Sequence, residues 1–83
     1  MLVKNRDSIV EYTASPHLEI VGNNQCVVDG LKGILEYTKD KIKIDLGKYA
    51  VTFTGSELYI NALSHEGAVV EGTIMSMEFC SND

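Results

Sequence analysis

From Leu18 to Phe79 the apolar positions recur with a period of two, in short runs broken by turn-forming residues. Ile42, Ile44 and Leu46 alternate with Lys41, Lys43 and Asp45. Tyr49, Val51 and Phe53 alternate with Ala50, Thr52 and Thr54. Such alternation puts one set of side chains on a buried face of a strand and the other in water. The expected strands are 18–21, 25–28, 34–38, 41–46, 49–54, 58–63 and a long last one over 68–79. Turn residues separate them: Gly22-Asn23-Asn24, Asp29-Gly30, Lys39-Asp40, Gly47-Lys48, Gly55-Ser56 and Ser64–Gly67. Asp29-Gly30 and Gly55-Ser56 read as hairpin turns. Gly72 falls inside the last strand where the apolar phase becomes uneven, which predicts a bulge or a sharp bend.

Turn signals come every five to twelve residues and no stretch carries a long amphipathic helix, so the fold class is all-β. Two architectures satisfy the pattern. One is an antiparallel meander of hairpins forming a small sandwich, roll or barrel. The other is a short solenoid-like β-stack, which the lack of a fixed repeat period disfavours. The domain is expected to span 16–80. It is preceded by a poorly defined segment over 1–15, readable as a short helix or an edge strand, and followed by a frayed tail over 81–83.

Composition narrows the picture. Eighty-three residues bury only about 60% of the surface of the unfolded chain, so the core is thin. Self-association is then an expected further source of stability. Cys26 and Cys80 are far apart beside apolar neighbours and read as reduced, buried thiols in a reducing compartment, the alternative being a single long-range bridge between them. No signal peptide or bilayer-spanning run is visible, which predicts a soluble protein.

Charge is uneven. Residues 1–48 hold all seven Lys and Arg against seven acids, whereas 49–83 hold five acids and no base. An acidic half repels phosphate backbones, so no nucleic acid is expected as a partner. Lys39, Lys41 and Lys43 form one small basic row beside Lys48. It reads as a solvated strand face or as lysines guarding a sheet edge. The alternative is an interaction surface formed by Lys39, Lys41 and Lys43, with Tyr59 as an outward aromatic anchor. Tyr37, Tyr49 and Phe53 read as core or cross-strand packing.

Candidate chemistry is sparse. Neither His17 nor His65 has a Cys, Asp or Ser at a spacing that would make a catalytic or metal set locally, and a metal site needs three or four ligands. Glu36, Glu71 and Glu78 alternate with apolar neighbours and read as outward strand positions. No catalytic residue, metal site, cofactor or small-molecule substrate is expected. An enzyme would need a cluster such as His65, Glu66 and Glu71 in a concave pocket. A ligand-binding or regulatory β-domain would need an apolar cavity lined by Met75 or Met77, with Gly72 at its mouth.

The run from Leu18 to Phe79 resembles the YabP/YqfC family of sporulation proteins. The likeness rests on Leu18-Glu19-Ile20-Val21-Gly22 after Pro16, Gly33-Ile34-Leu35-Glu36-Tyr37-Thr38 before Ile42-Lys43-Ile44, Phe53-Thr54-Gly55, Leu58-Tyr59-Ile60, Val70-Glu71-Gly72-Thr73-Ile74 and Met77-Glu78-Phe79. The YqfC branch is the nearest in length and in its G-I-L-E-aromatic stretch. The resemblance implies a non-enzymatic structural or assembly module of the mother cell in endospore-forming bacteria, acting in cortex or coat formation. It further implies a cytoplasmic protein peripheral to the forespore membrane, with a membrane-associated sporulation protein as partner. The family brings no catalytic residues to carry over.

Overall fold

The computed structural model describes residues 16–82. The alternatives read from sequence for 1–15 lie outside the described residues. Six strands form: β1 (His17–Val21), β2 (Gln25–Asp29), β3 (Gly33–Tyr37), β4 (Lys41–Asp45), β5 (Tyr49–Asn61) and β6 (Gly67–Ser81). All pair antiparallel in one open sheet of order β1-β2-β6-β5-β4-β3. This is the all-β class that the alternation predicts, and not a stack of solenoid rungs.

Two turn assignments change. Asp29-Gly30 does not make a hairpin, because β2 pairs with β6 and β3 lies at the opposite edge of the sheet. Gly55-Ser56 does not end a strand, because β5 runs through it for 13 residues. Both dipeptides have suitable turn chemistry, but that chemistry does not choose the partner strand. Three-residue turns join β1 to β2 and β3 to β4, as the Gly22–Asn24 and Lys39-Asp40 signals indicate. In the second of these turns Thr38 Oγ1 accepts the amides of Asp40 (3.2 Å) and Lys41 (3.0 Å).

The strand order is a palindrome about the β5–β6 pair, and the residues follow it. The β1–β2 and β3–β4 hairpins begin sixteen residues apart. Cys26 and Val28 of β2 face Val70 and Ala68 of β6, whereas Ile42 and Ile44 of β4 face Phe53 and Val51 of β5. All eight are buried. This approximate two-fold relation is invisible as a sequence repeat, because the matched positions share only size and phase.

The two halves come together because β5 and β6 both bend. The β5–β6 register shifts between Thr54 and Gly55 and between Ser56 and Tyr59. Gly72 has φ of 121°, and Glu57 is held left-handed at 54°. A side chain on Gly55 would run into the Thr73 carbonyl, and one on Gly72 into the Glu57 carbonyl. The bend that Gly72 predicts is therefore present, and Gly55 is its counterpart on β5. Each bend is clasped by the turn of a hairpin. Ile74 N donates to Asn23 O and Leu58 N to Lys39 O, both at 2.7 Å, with Gly55 N donating to Asp40 O at 3.1 Å. Asn23 and Lys39 occupy equivalent places in their turns.

Bent in this way, the sheet wraps one cluster drawn from both halves: Cys26, Val28, Ile42, Ile44, Leu46, Val51, Phe53, Leu58 and Val70. Of the three aromatics that the sequence assigns to core or cross-strand packing, Phe53 is fully buried, while Tyr49 is half-buried and meets Phe79 edge-on with ring centroids 5.7 Å apart. Tyr37 is not a core residue, being 53% exposed, but it is the cross-strand partner of the buried Ile42. The link over 30–32 crosses one end of the roll, tied by Gly30 N to Glu66 O and by Lys32 N to Asp45 O, each 2.7 Å. Where sequence predicts fraying, Ser81 belongs to β6 and Asn82 Nδ2 donates to Asp45 Oδ1 (2.8 Å) and Gly47 O (2.9 Å).

Cys26 is fully buried in the cluster, whereas Cys80 is exposed, which corrects the reading of two core thiols. Burial pushes the Cys26 thiol up to about 11, against a small opposing effect of a backbone hydrogen bond. A raised thiol pKa means that the folded state holds its proton longer than the unfolded state. The stabilisation is complete below the ordinary value of 9.0 and is lost as pH rises through about 11.

Two predictions follow from the bend and the core. Gly72→Ala and Gly55→Ala each lower unfolding free energy by on the order of 3 kcal/mol in urea titrations, whereas Glu57→Gly changes it by less than about 1 kcal/mol. Between pH 9 and 11 the stability of the native chain falls more steeply than that of Cys26→Ala, measured by the same titrations. Parallel slopes would remove the buried thiol as the cause.

Candidate functional site

The lysine row lies on the solvent face of β4 and in the turn before it. Lys41 and Lys43 alternate with the buried Ile42 and Ile44. Because β4 lies between β3 and β5, these lysines are not edge guards; the solvated-face reading is the one that fits. Lys41 pairs with Glu36 at 3.6 Å with both side chains about half exposed, a contact worth little in water. Lys39 sits in the β3–β4 turn, held through its carbonyl by Leu58 N.

Tyr59 does point outward, 48% exposed, while Leu58 is buried. It stands beyond the bend, on the part of β5 that pairs with β6 around Glu71. β4 accompanies β5 only as far as Thr54. The structure thus puts Lys41 and Lys43 on one part of the sheet and Tyr59 on another.

What surrounds Tyr59 is a polar cluster that the sequence did not reveal. Gln25 of β2, Glu71 of β6 and Tyr59 of β5 are register partners across three strands. The Glu71 carboxylate accepts from Tyr59 Oη, from Gln25 Nε2 (3.3 Å) and from Asn61 Nδ2 (3.4 Å). The Tyr59 hydroxyl, then the Asn61 amide, hold the Glu71 carboxyl below its ordinary range. The same hydrogen bond and charge raise the Tyr59 hydroxyl. Outward polar residues on three strands were visible in the sequence, but their register was not. Around this cluster Asn24, Gly72 and Thr73 complete a shallow surface depression.

The other sequence-derived sites are dispersed. His65 and Glu66 lie 3.7 Å apart, highly exposed in the β5–β6 turn, and do not line the depression that contains Glu71. Met75 and Met77 line a different open depression of about 270 Å³ with Ile20 and Ile74, and Gly72 is not part of it. Among the described residues no group of three or more His, Cys, Asp and Glu converges. Nor, among them, is any helix long and apolar enough to cross a membrane.

The second feature that sequence reasoning missed is a strand edge. β2 pairs with β6 only over Gly67–Glu71, whereas β5 stays with β6 to Ser81. Beyond Ile74, the far edge of β6 has no partner strand among the described residues. Met77 and Phe79 are register partners of the fully buried Phe53 and Val51, so they share the core-facing side. Even so, Phe79 is 52% exposed, and Met75, in the bulge, is 70% exposed. The long apolar last strand was legible in the sequence; that its neighbour departs halfway along was not.

The corresponding edge of β5 is closed differently. The Tyr37 hydroxyl accepts Ile60 N at 2.8 Å. Sixteen residues earlier, at the matching place in the other hairpin, stands Val21, which has no side-chain acceptor.

A direct check of the polar cluster is a carbon-detected NMR titration of Glu71. Tyr59→Phe moves its midpoint up towards the ordinary carboxylate range, and Asn61→Ala does so to a smaller extent. An unchanged midpoint in Tyr59→Phe would mean that the hydroxyl is not the carboxylate's main partner.

No curated protein and no solved structure matches the chain. The family model that matches is that of the YabP family, over residues 12–83, which takes in every described strand and both bends. Membership of that family suggests a sporulation-related protein, and with the match covering most of the chain, the protein belongs to the YabP family.

Proposed function

We propose that this protein is a non-enzymatic structural or assembly module of sporulation, acting through its sheet surfaces and edges at the forespore envelope during cortex or coat formation. The observation that carries the reading is the half-open last strand: an apolar, core-facing stretch of β6 whose outer edge lacks a partner strand among the described residues. An edge of this kind accepts a strand from another chain, with main-chain hydrogen bonds giving affinity and alternate side chains giving selectivity. Family membership supplies the sporulation setting. The stretch Gly33–Thr38 supports placement in the YqfC branch. In this reading the chain works in the mother cell, peripheral to the forespore membrane, with another copy or a membrane-associated sporulation protein as partner. Small molecules and nucleic acids are not its ligands.

The test is complementation in the spore-forming host. Deletion is expected to lower the yield of heat- and lysozyme-resistant spores, and a fluorescent fusion to collect around the forespore. A chain carrying His65→Ala, Glu66→Ala and Glu71→Ala together should restore full resistance at normal abundance. Diffuse fluorescence with undiminished resistance in the deletion would overturn the envelope role. Failure of the triple variant at normal abundance would revive an enzymatic one.

A further inference from the structure

We infer that the edge of β6 left open among the described residues pairs with the same edge of a second copy, antiparallel, about a two-fold axis that passes between Met77 and its copy. The inference rests on the assembly reading above and names its partner and register.

The edge is unusual within this molecule. Natural edges are blunted by lysine, proline, inward-pointing charges or covering groups. From Met75 to Cys80 there is no Lys, Arg or Pro. The sister edge on β5 has its Ile60 amide taken by Tyr37, and the fold offers only Val21 in the related position. Phe79 therefore sits on the core side of the sheet, with Tyr49 against one edge of its ring, and remains half exposed.

The pattern of residues selects the register. In an antiparallel pair related by a two-fold axis, some residue must face its own copy, and opposed residues share a face of the sheet. Centring on Glu78 would oppose two carboxylates. Centring on Ser76 would set Glu78 against Ile74. Centring on Phe79 or Cys80 would set Met77 or Phe79 against Ser81. Centring on Met77 sets Met77 against Met77, Met75 against Phe79 and Ser76 against Glu78. Only that choice matches apolar with apolar and polar with polar at every opposed position from 75 to 79. It also continues the sheet so that the uncovered sides of Phe79 and its copy face the same way.

The register gives opposite signs for opposite charges at one exposed position. Ser76→Lys would face Glu78 of the second copy twice in the dimer, and Ser76→Glu would set two carboxylate pairs in opposition. Sedimentation equilibrium on the full chain, over a wide concentration range, is the readout. The native chain is expected to form a dimer reversibly. Ser76→Lys should tighten it about tenfold, and Ser76→Glu should weaken it about tenfold. Combining Ser76→Glu with Glu78→Lys should restore it, which separates pairing from any loss of folding. Leu35→Lys on the β3 edge should leave the dimer unchanged.

A dimer weakened by Leu35→Lys and indifferent to residue 76 would overturn the β6 interface while leaving assembly through an edge intact. Equal weakening by Lys and by Glu at 76 would overturn the register. A native chain that stays monomeric at millimolar concentration would overturn self-pairing, and the spore phenotype would then judge the assembly role independently.

Discussion

The structure depends on how closely β5 and β6 approach one another where both bend. Two antiparallel strands of 13 and 15 residues would make a long, twisted ribbon with no enclosed interior. Gly55 and Gly72 let each backbone pass against a carbonyl of the other strand, at a separation that no side chain permits. The turns of the two outer hairpins then clasp the bends through Asn23 O and Lys39 O. Once the ribbon is bent, β2 and β4 carry Cys26, Val28, Ile42 and Ile44 into the same interior, and a thin chain acquires a core. Without the bends those residues would lie on one open face in contact with water, and the area buried would not offset the ordering of the chain.

Much of this was written locally in the sequence, and what was missed is non-local. The period of two from Lys41 to Phe53 gives the strands and most of the buried set, because alternation depends only on the pleat; Ala50, which the alternation puts on the water side, is instead fully buried. Gly72 announces itself by falling at a change of phase. Gly55 does not, because a glycine followed by serine has the chemistry of a turn as well as that of a close crossing. Asp29-Gly30 misleads for a related reason: a dipeptide with the chemistry of a turn cannot specify which strand comes next to β2. Sheet order is a property of pairing between distant segments, and a single sequence carries little of it. The Glu71 cluster was hidden in the same way. Gln25, Tyr59, Asn61 and Glu71 are ordinary outward residues until the register sets three donors around one carboxylate.

The candidate surface divides along the same line. Lys41 and Lys43 lie on the solvent side of β4, as their alternation with Ile42 and Ile44 implies, and their interior position in the sheet removes the edge-guarding role. Tyr59 points out as the alternation implies, but its hydroxyl is engaged by Glu71 within the chain, so what it offers a partner is the ring. The stretch of β6 without a second neighbour among the described residues emerges only from topology: one neighbour leaves at Glu71 and the other continues to Ser81. A small domain of a sporulation-related family is left with a core-facing phenylalanine half exposed, and contact with another chain is the role proposed for that surface.

The central claim is that the hairpin turns lock the two bends, and native-state amide hydrogen exchange read residue by residue tests it most directly. The Leu58 and Ile74 amides should exchange only through global unfolding, as slowly as those of the buried ladder at Val51 and Phe53. Exchange at Leu58 and Ile74 as fast as in the exposed Ser64–Glu66 turn would mean that the bends are not held, and the account of the fold would fail with them.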